Sequence, residues 1–429
     1  MGVLRIEPAQ TQPFSARTLA TIWRAYDLQL TIYALLLSAI GLAMAYSSSA
    51  EAGVSVLAPG STFVRGLTWT GLAVIAFVLA TAFDYTWFKT FAWPIYFVSL
   101  GLLVVTLAIG DGVGGVARWV TIGPFQVQFS EISKILMIVV LGAFLARRQG
   151  QLDKPWPIIA TCLLVGPPIG LVLLQPDLGT SLVFVAIVAG MLFLSGASLR
   201  WLGLLASIAI AIVPVAWTYV LQDYQKQRLI SFLYPEADPQ GSGYQLLQSQ
   251  ISVGSGGLIG RGLTNGTQDK GNFLPVDTTD FVFARLGEEL GFIGALVVFL
   301  LFIALIWRSF YIARLASDAG LKFQAYLASG FGLWVGIQAF INIGVNMGVL
   351  PTKGLTLPLM SYGRSSLIVS LVWVGLLLRV YHEALMEKRG SATVRQRSSV
   401  LGERQVRART AGAAQAQKDI FEEDAEDAE

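Results

Sequence analysis

Leu-, Val-, Ile- and Ala-rich stretches, bounded by charges or turn residues, recur along the whole chain. A stretch of roughly 17–25 apolar residues crosses about 30 Å of hydrocarbon as a helix. Read this way, the pattern predicts helices near 29–48, 66–83, 91–109, 132–146, 157–174, 180–197, 201–220, 287–307, 324–347 and 366–383. The expected fold is therefore all-α, a polytopic membrane protein of about ten transmembrane helices. The run at 132–146 is short for a span, and Pro167-Pro168 is expected to kink the next one, which packing within a membrane tolerates.

Short loops rich in Lys and Arg stay cytoplasmic. With the N-terminus inside, the inner segments hold Arg5, Arg17, Arg24, Lys89, Arg147, Arg148, Lys154, Arg200, Arg308, Arg314 and Lys322, whereas the short outer loops hold Arg65, Arg118, Lys353 and Arg364. Ten spans return the C-terminus to the same side, in agreement with the basic stretch from Lys388 to Arg409. Three parts follow: an N-terminal cytoplasmic segment (1–28), a membrane domain (29–385), and a tail (386–429) too poor in apolar residues to bury a core, expected to be disordered. The outward segment 221–286, between the seventh and eighth spans, is too long to lack structure without a function. Its Gly and Ser, interleaved with Leu, Ile, Phe and Val, suggest re-entrant or interfacial helices lying against the outer leaflet.

Composition sharpens the class. The chain of 429 residues is 54% hydrophobic and 13% charged, against about 25% charged in soluble domains, which excludes a soluble enzyme. The net charge of +3 averages a basic stretch with an acidic tip and gives no reason to expect nucleic acid. The first 27 residues carry Arg5, Glu7, Arg17, Arg24 and Asp27 without an apolar core, so they are not expected to be a cleavable signal peptide. Cys162 and His382 each stand alone, which excludes a disulfide framework, a zinc cluster and a Ser/His/Asp triad. Catalysis has to run on carboxylates, Lys, Arg or backbone dipoles.

Several charges sit where a membrane should not tolerate them without a partner. Glu131 and Lys134, three residues apart at the start of the fourth span, share a helix face. Either they satisfy each other, or they wall a polar substrate cavity. Asp177, in Gln175-Pro176-Asp177-Leu178-Gly179-Thr180, is placed to cap the following helix. Arg118 is an outward cation that could hold an anionic head group, while Trp119 beside it suits the aromatic belt. Lys226, Arg228, Arg261 and Lys270 give the large loop its positive charge, with Gly254-Ser255-Gly256-Gly257 able to expose backbone N–H groups to phosphate. Where this loop meets the eighth span stand Asp277, Asp280, Glu288 and Glu289. Asp280, followed by Phe281, Val282, Phe283 and Ala284, dips into the apolar boundary, where lost solvation would raise its pKa toward that of a useful base. Glu288 and Glu289 are expected to answer the positive N-terminus of that helix.

These strings resemble the SEDS family, the ten-span FtsW/RodA-type peptidoglycan glycosyltransferases of bacteria, over roughly residues 29–385. The resemblance is carried by Ala117-Arg118-Trp119, Phe129-Ser130-Glu131-Ile132-Ser133-Lys134, the Gln175–Thr180 string, and Asp238-Pro239-Gln240-Gly241-Ser242-Gly243-Tyr244-Gln245. Further strings are Phe273-Leu274-Pro275, Thr279-Asp280-Phe281-Val282-Phe283-Ala284, Gly287-Glu288-Glu289-Leu290-Gly291, Pro351-Thr352-Lys353-Gly354-Leu355-Thr356-Leu357-Pro358 and Ser361-Tyr362-Gly363-Arg364-Ser365-Ser366. The resemblance implies polymerisation of lipid II, the undecaprenyl-pyrophosphate-linked disaccharide-pentapeptide, on the outer face of the cytoplasmic membrane. It implies that Asp280 takes the proton of the acceptor hydroxyl, and that Arg118, Glu131, Lys134, Asp177, Arg228, Lys270 and Lys353 form the substrate-binding set. Developing charge on the leaving pyrophosphate would be met by loop Lys and Arg or by a divalent cation, Mg or Mn. The implied partners are a class B penicillin-binding protein transpeptidase and other proteins of division or elongation.

The chain departs from the family pattern at Thr278, where His is frequent before Thr-Asp-Phe, at Phe129, where Pro is common, and at Arg364, where a small residue is usual. Pro351–Thr356 leans to the FtsW branch and Asn265-Gly266-Thr267-Gln268 to the RodA branch, with the balance slightly on FtsW. Two rival readings are a lipid II flippase, which needs charges reachable from both leaflets, and a scaffold that has lost catalysis.

Overall fold

The computed structural model describes residues 26–51, 55–110, 118–122, 125–237, 241–266, 279–352 and 354–390. In chain order these form α1 (Leu28–Glu51), α2 (Thr62–Ala82), α3 (Thr86–Thr90) and α4 (Ala92–Ile109), then a hairpin of β1 (Val120–Ile122) and β2 (Phe125–Val127). There follow α5 (Phe129–Ala146), α6 (Pro155–Leu174), α7 (Leu178–Leu194), α8 (Leu199–Tyr219), α9 (Asp223–Leu233) and α10 (Ser242–Ser255). The chain continues as α11 (Val282–Asp318), α12 (Lys322–Asn346) and α13 (Arg364–Gly390). Among the described residues nine helices are long and apolar enough to cross a membrane. The 17-residue α7 reaches the lower bound of crossing length, so each expected run has its helix. The antiparallel hairpin, Val120 opposite Val127, is the one sheet among the described residues.

Two expectations change. The fourth span is not short: α5 begins at Phe129, and its first turn, Phe129-Ser130-Glu131, is too polar for an apolar run to reveal. Pro167 and Pro168 sit inside α6 without interrupting the helix, although each lacks the N–H of a helical hydrogen bond. The eighth span differs most. Instead of 287–307, α11 runs from Val282 to Asp318 and is broken at Gly291, whose φ of 67° and ψ of −166° are not helical. The stretch before the break hid from a hydropathy reading because it carries Arg285, Glu288 and Glu289, all buried. These two glutamates are therefore not at the helix N-terminus; they lie in its second turn and find partners there. Glu289 Oε1 accepts from Arg285 Nε at 2.8 Å and from Ser47 Oγ at 2.7 Å. Glu288 faces Arg261 at 3.7 Å and Ser252 at 3.4 Å.

The large loop folds back on the bundle. Backbone N–H groups of Arg261 and Gly262 donate to the carbonyls of Glu288 and Glu289 at 3.0 and 2.9 Å, and those of Phe292 and Ile293 donate to Gly257 and Leu258 at 2.9 and 3.1 Å. A Cβ on Gly260 or Gly291, both at positive φ, would meet the other strand's backbone. Helix α10 packs one face on α11 and α12, with Ser249 Oγ donating to the Asn346 carbonyl at 2.8 Å, while Leu247 and Ile251 on its other side stay exposed.

The core is organised around α12, which touches α5, α7, α10 and α11. Ala325, Ala328, Ser329, Gly330 and Gly332 are buried along it. Small residues let helix backbones approach closely, the main source of packing energy where lipid supplies no hydrophobic drive between helices. By contrast no residue of α8 is buried.

Candidate active site

Asp280 stands in the turn that enters α11, and its position is set by a polar ladder on α12. Gln338, Asn342 and Asn346, four residues apart, lie on one face of that helix. Asn342 Nδ2 donates to the carbonyls of Asp280 (2.9 Å) and Leu355 (2.6 Å). Asn346 Nδ2 donates to the same Asp280 carbonyl at 3.0 Å, while its Oδ1 accepts from Ala284 N–H at 2.9 Å and so satisfies the first turn of α11. Ser361 Oγ accepts from Leu357 N–H and donates to the Thr279 carbonyl, at 2.7 and 2.6 Å. The two loops, 279–281 and 351–361, are thereby pinned together over the end of α12. Sequence reasoning missed this ladder; three carboxamides at a four-residue spacing inside an otherwise apolar span were its signal.

Between the loops lies a cleft of about 120 Å³ lined by Arg228, Gln245, Asp280, Asn342, Thr352 and Gly354, among others. Among the described residues nothing hydrogen-bonds or ion-pairs with the Asp280 carboxylate. Loss of solvation pushes its pKa up from 3.8 to about 6, against the pull of Arg228 and then Arg118, with a further push from Asp177. Gly354, at φ 61°, keeps the approach open: a Cβ there would lie 3.4 Å from Asp280 Oδ2 and 3.9 Å from Arg118 Nη1.

The two arginines converge from opposite elements. Arg118 Nη2 donates to the Pro176 carbonyl at 2.7 Å and reaches Tyr224 Oη at 3.4 Å, and its buried Nε has no partner among the described residues. Tyr224 Oη and Gln225 Nε2 donate to the same carbonyl at 2.6 and 3.1 Å, fastening α9 to the α6–α7 junction. Arg228 lies 5.8 Å from the Tyr224 ring, and burial together with the neighbouring Arg118 lowers its pKa. A second, narrower cleft, lined by Arg118, Tyr224, Arg228 and Thr352, shares Arg228 and Thr352 with the first. A base and two guanidinium groups with spare donors thus face one space.

The other expected site residues divide. Asp177 caps α7: its Oδ1 accepts from Thr180 N–H at 3.1 Å and Oδ2 from Thr180 Oγ1 at 2.8 Å. Glu131 and Lys134 pair at 2.6 Å deep in the bundle, and Lys134 Nζ also donates to Gln338 Oε1 at 2.7 Å. They line neither cleft. Gln338 Nε2 passes the connection on to the Thr356 carbonyl at 2.8 Å, so the pair stands behind the cleft wall. Lys270, Lys353 and Thr278 lie outside the described residues. Arg364 stands at the start of α13, 6.0 Å from the Tyr362 ring and away from Asp280's cleft. Among the described residues no group of three His, Cys, Asp or Glu side chains could hold a metal ion.

Comparison with known proteins places these features in a lineage. The family model for FtsW, RodA and SpoVE, described as cell cycle protein, matches residues 27–385. A probable peptidoglycan glycosyltransferase FtsW of Coxiella burnetii is 41% identical over 369 residues, covering 85% of this chain and 98% of the relative. One from Nitrosococcus halophilus is 47% identical over 300 residues, 68% of this chain and 75% of the relative. Among solved structures, a chain from a study of the structural coordination of polymerization and crosslinking by a peptidoglycan synthase complex aligns with a TM-score of 0.68 at 33% identity, covering 84% of this chain and 99% of that one. The rod shape determining protein RodA of Thermus thermophilus aligns with a TM-score of 0.62 at 29% identity, over 85% of this chain and 99% of that one.

Proposed function

The chain belongs to the FtsW/RodA/SpoVE family, and on that footing we propose that it is a peptidoglycan glycosyltransferase that polymerises lipid II at the outer face of the membrane. It is a multi-pass protein of the bacterial cytoplasmic membrane. The observation that carries the reading is the Asp280 carboxylate, its pKa raised to about 6 and without a side-chain partner among the described residues, in a cleft shared with Arg228 and close to Arg118.

In the proposed reaction the acceptor's 4-hydroxyl oxygen bonds to the donor's anomeric carbon as the bond from that carbon to the pyrophosphate oxygen breaks. Asp280 takes the hydroxyl proton, and lipid pyrophosphate leaves with its electron pair. A carboxylate near pH 6 is ionised at neutral pH yet basic enough to share the proton in the transition state. The spare N–H groups of Arg118 and Arg228 meet the charge that develops on the leaving group, where low local polarity strengthens them. A divalent ion, Mg or Mn, arriving with substrate would find the Asp280 carboxylate among the described lining of the cleft, the pyrophosphate supplying other oxygens. Asp177, Glu131 and Lys134 act by holding the walls. We assign the polymer's crosslinking to a partner of the class B penicillin-binding protein kind, by analogy with the aligned peptidoglycan synthase complex, which coordinates polymerization with crosslinking.

A flippase would need a path between leaflets. The Asp280 cleft and a cavity of about 530 Å³ at the opposite end of α12 share no lining residue. The test is polymerisation of labelled lipid II by the protein purified with its transpeptidase. Asp280→Asn should lower the rate by about 10²–10⁴, the usual contribution of a general base. Equal rates for the two proteins, with contaminating synthases excluded, would overturn the assignment.

A further inference from the structure

At the end of α12 remote from Asp280, a cavity of about 530 Å³ opens between the turn after α5, the ends of α7 and α11 and the first two turns of α12. We propose that it binds the phosphodiester head group of an anionic phospholipid of the inner leaflet. Its size falls in the range of ligand pockets, roughly 300–1,000 Å³. The lining includes Arg314 and Lys322 but no Asp or Glu; Gln149, Ser195, Ser317 and Tyr326 supply neutral polar atoms. Lys322 Nζ is steadied by Ser317 Oγ at 2.9 Å, and no carboxylate among the described residues forms an ion pair with Lys322 or Arg314. Buried Ala313, Ala325 and Tyr326 close the floor, so the cations project over a recess and not over a flat surface.

The same recess receives the N-terminus of a 25-residue helix. Helix α12 has no side-chain cap at Leu321 and no acidic residue of its own in its first turn, where Gln324 Nε2 donates to Glu383 Oε1 at 3.5 Å. Helix ends, two cations and hydroxyls at the level of the inner head groups are the composition of a basic pocket between transmembrane helices, which suits an anionic lipid. A soluble phosphate shares the chemistry, but its source is water, whereas this cavity opens where four membrane helices end.

The experiment uses the full chain, purified in detergent and stripped of lipid, with phosphatidylglycerol binding read by native mass spectrometry against phosphatidylcholine. Each basic residue near the leaflet contributes about fivefold, so Arg314→Gln with Lys322→Gln should weaken phosphatidylglycerol binding on the order of thirtyfold. Arg200→Gln, an exposed cation at the start of α8 outside the cavity, should leave it unchanged. Arg314→Lys with Lys322→Arg keeps the charge, tests folding, and should retain binding. Equal loss in the Arg200 variant, or no loss in the double Gln variant, overturns the site. Inorganic phosphate that displaces the lipid and raises the melting temperature only when Arg314 and Lys322 are present overturns the lipid assignment in favour of a soluble ligand.

Discussion

A carboxyl group held near pH 6 leaves two signatures. The raised value favours the protonated form in the folded protein. The polymerisation rate should therefore rise with pH through about 6 and level off above it, with the midpoint read from kcat/KM between pH 5 and 8. Stability should move the other way. The folded-state pKa lies about two units above the unfolded value, so ionised Asp280 costs up to ~3 kcal/mol above pH 6, and the cost vanishes below about pH 4. Asp280→Asn is thus expected to unfold at a higher temperature than wild type at pH 8, with the gap closing at pH 4. An inactive variant that is also more stable separates a functional carboxylate from a structural one. Asp280 was legible in the sequence because a lone carboxylate before Phe-Val-Phe-Ala has few bland readings. Arg228 was visible only as a charge; its convergence with Arg118 requires α9 to fold back, which no local pattern records.

Among the elements, α12 does most to set the site. Its ladder holds main-chain carbonyls and leaves the Asp280 carboxylate unbonded, so its effect is on where the turn sits and how dry it stays. Asn346→Ala removes the bonds to the Asp280 carbonyl and to Ala284 N–H. The loosened turn should admit water, lowering kcat more than it raises KM and moving the rate midpoint down from about 6 toward the ordinary range near 3.9. A mere loss of folded protein would lower the rate at every pH without moving the midpoint. The spans themselves were readable because continuous apolar runs dominate them. The start of α11 was not, since buried Arg285, Glu288 and Glu289 make an interior helix look like a surface one until their partners on α1 and α10 are known.

For the whole molecule, polar chains crossing the bundle tie its helices together. Lys134, fully buried, joins α5 to α12 through Gln338 and onward to the 351–361 loop. Lys134→Met alone strands Glu131 and should cost about 3–5 kcal/mol on unfolding in detergent, whereas adding Glu131→Gln should recover much of it. No loss of stability from Lys134→Met alone would show that the pair carries no buried charge. The sequence placed these two residues on one helix face but left open whether they pair and which helix receives them, because contacts across the bundle leave no spacing signature. The stitched segment beside Gly291 carries a different lesson. Main-chain atoms hold residues 257–262 to 288–293, while the side chains of Leu258 and Ile259 point away, 71% and 78% exposed. Such a seam is indifferent to spelling but strict about counting: substitutions at 258 or 259 leave every bond in place, whereas deleting one residue shifts donors against acceptors along its whole length.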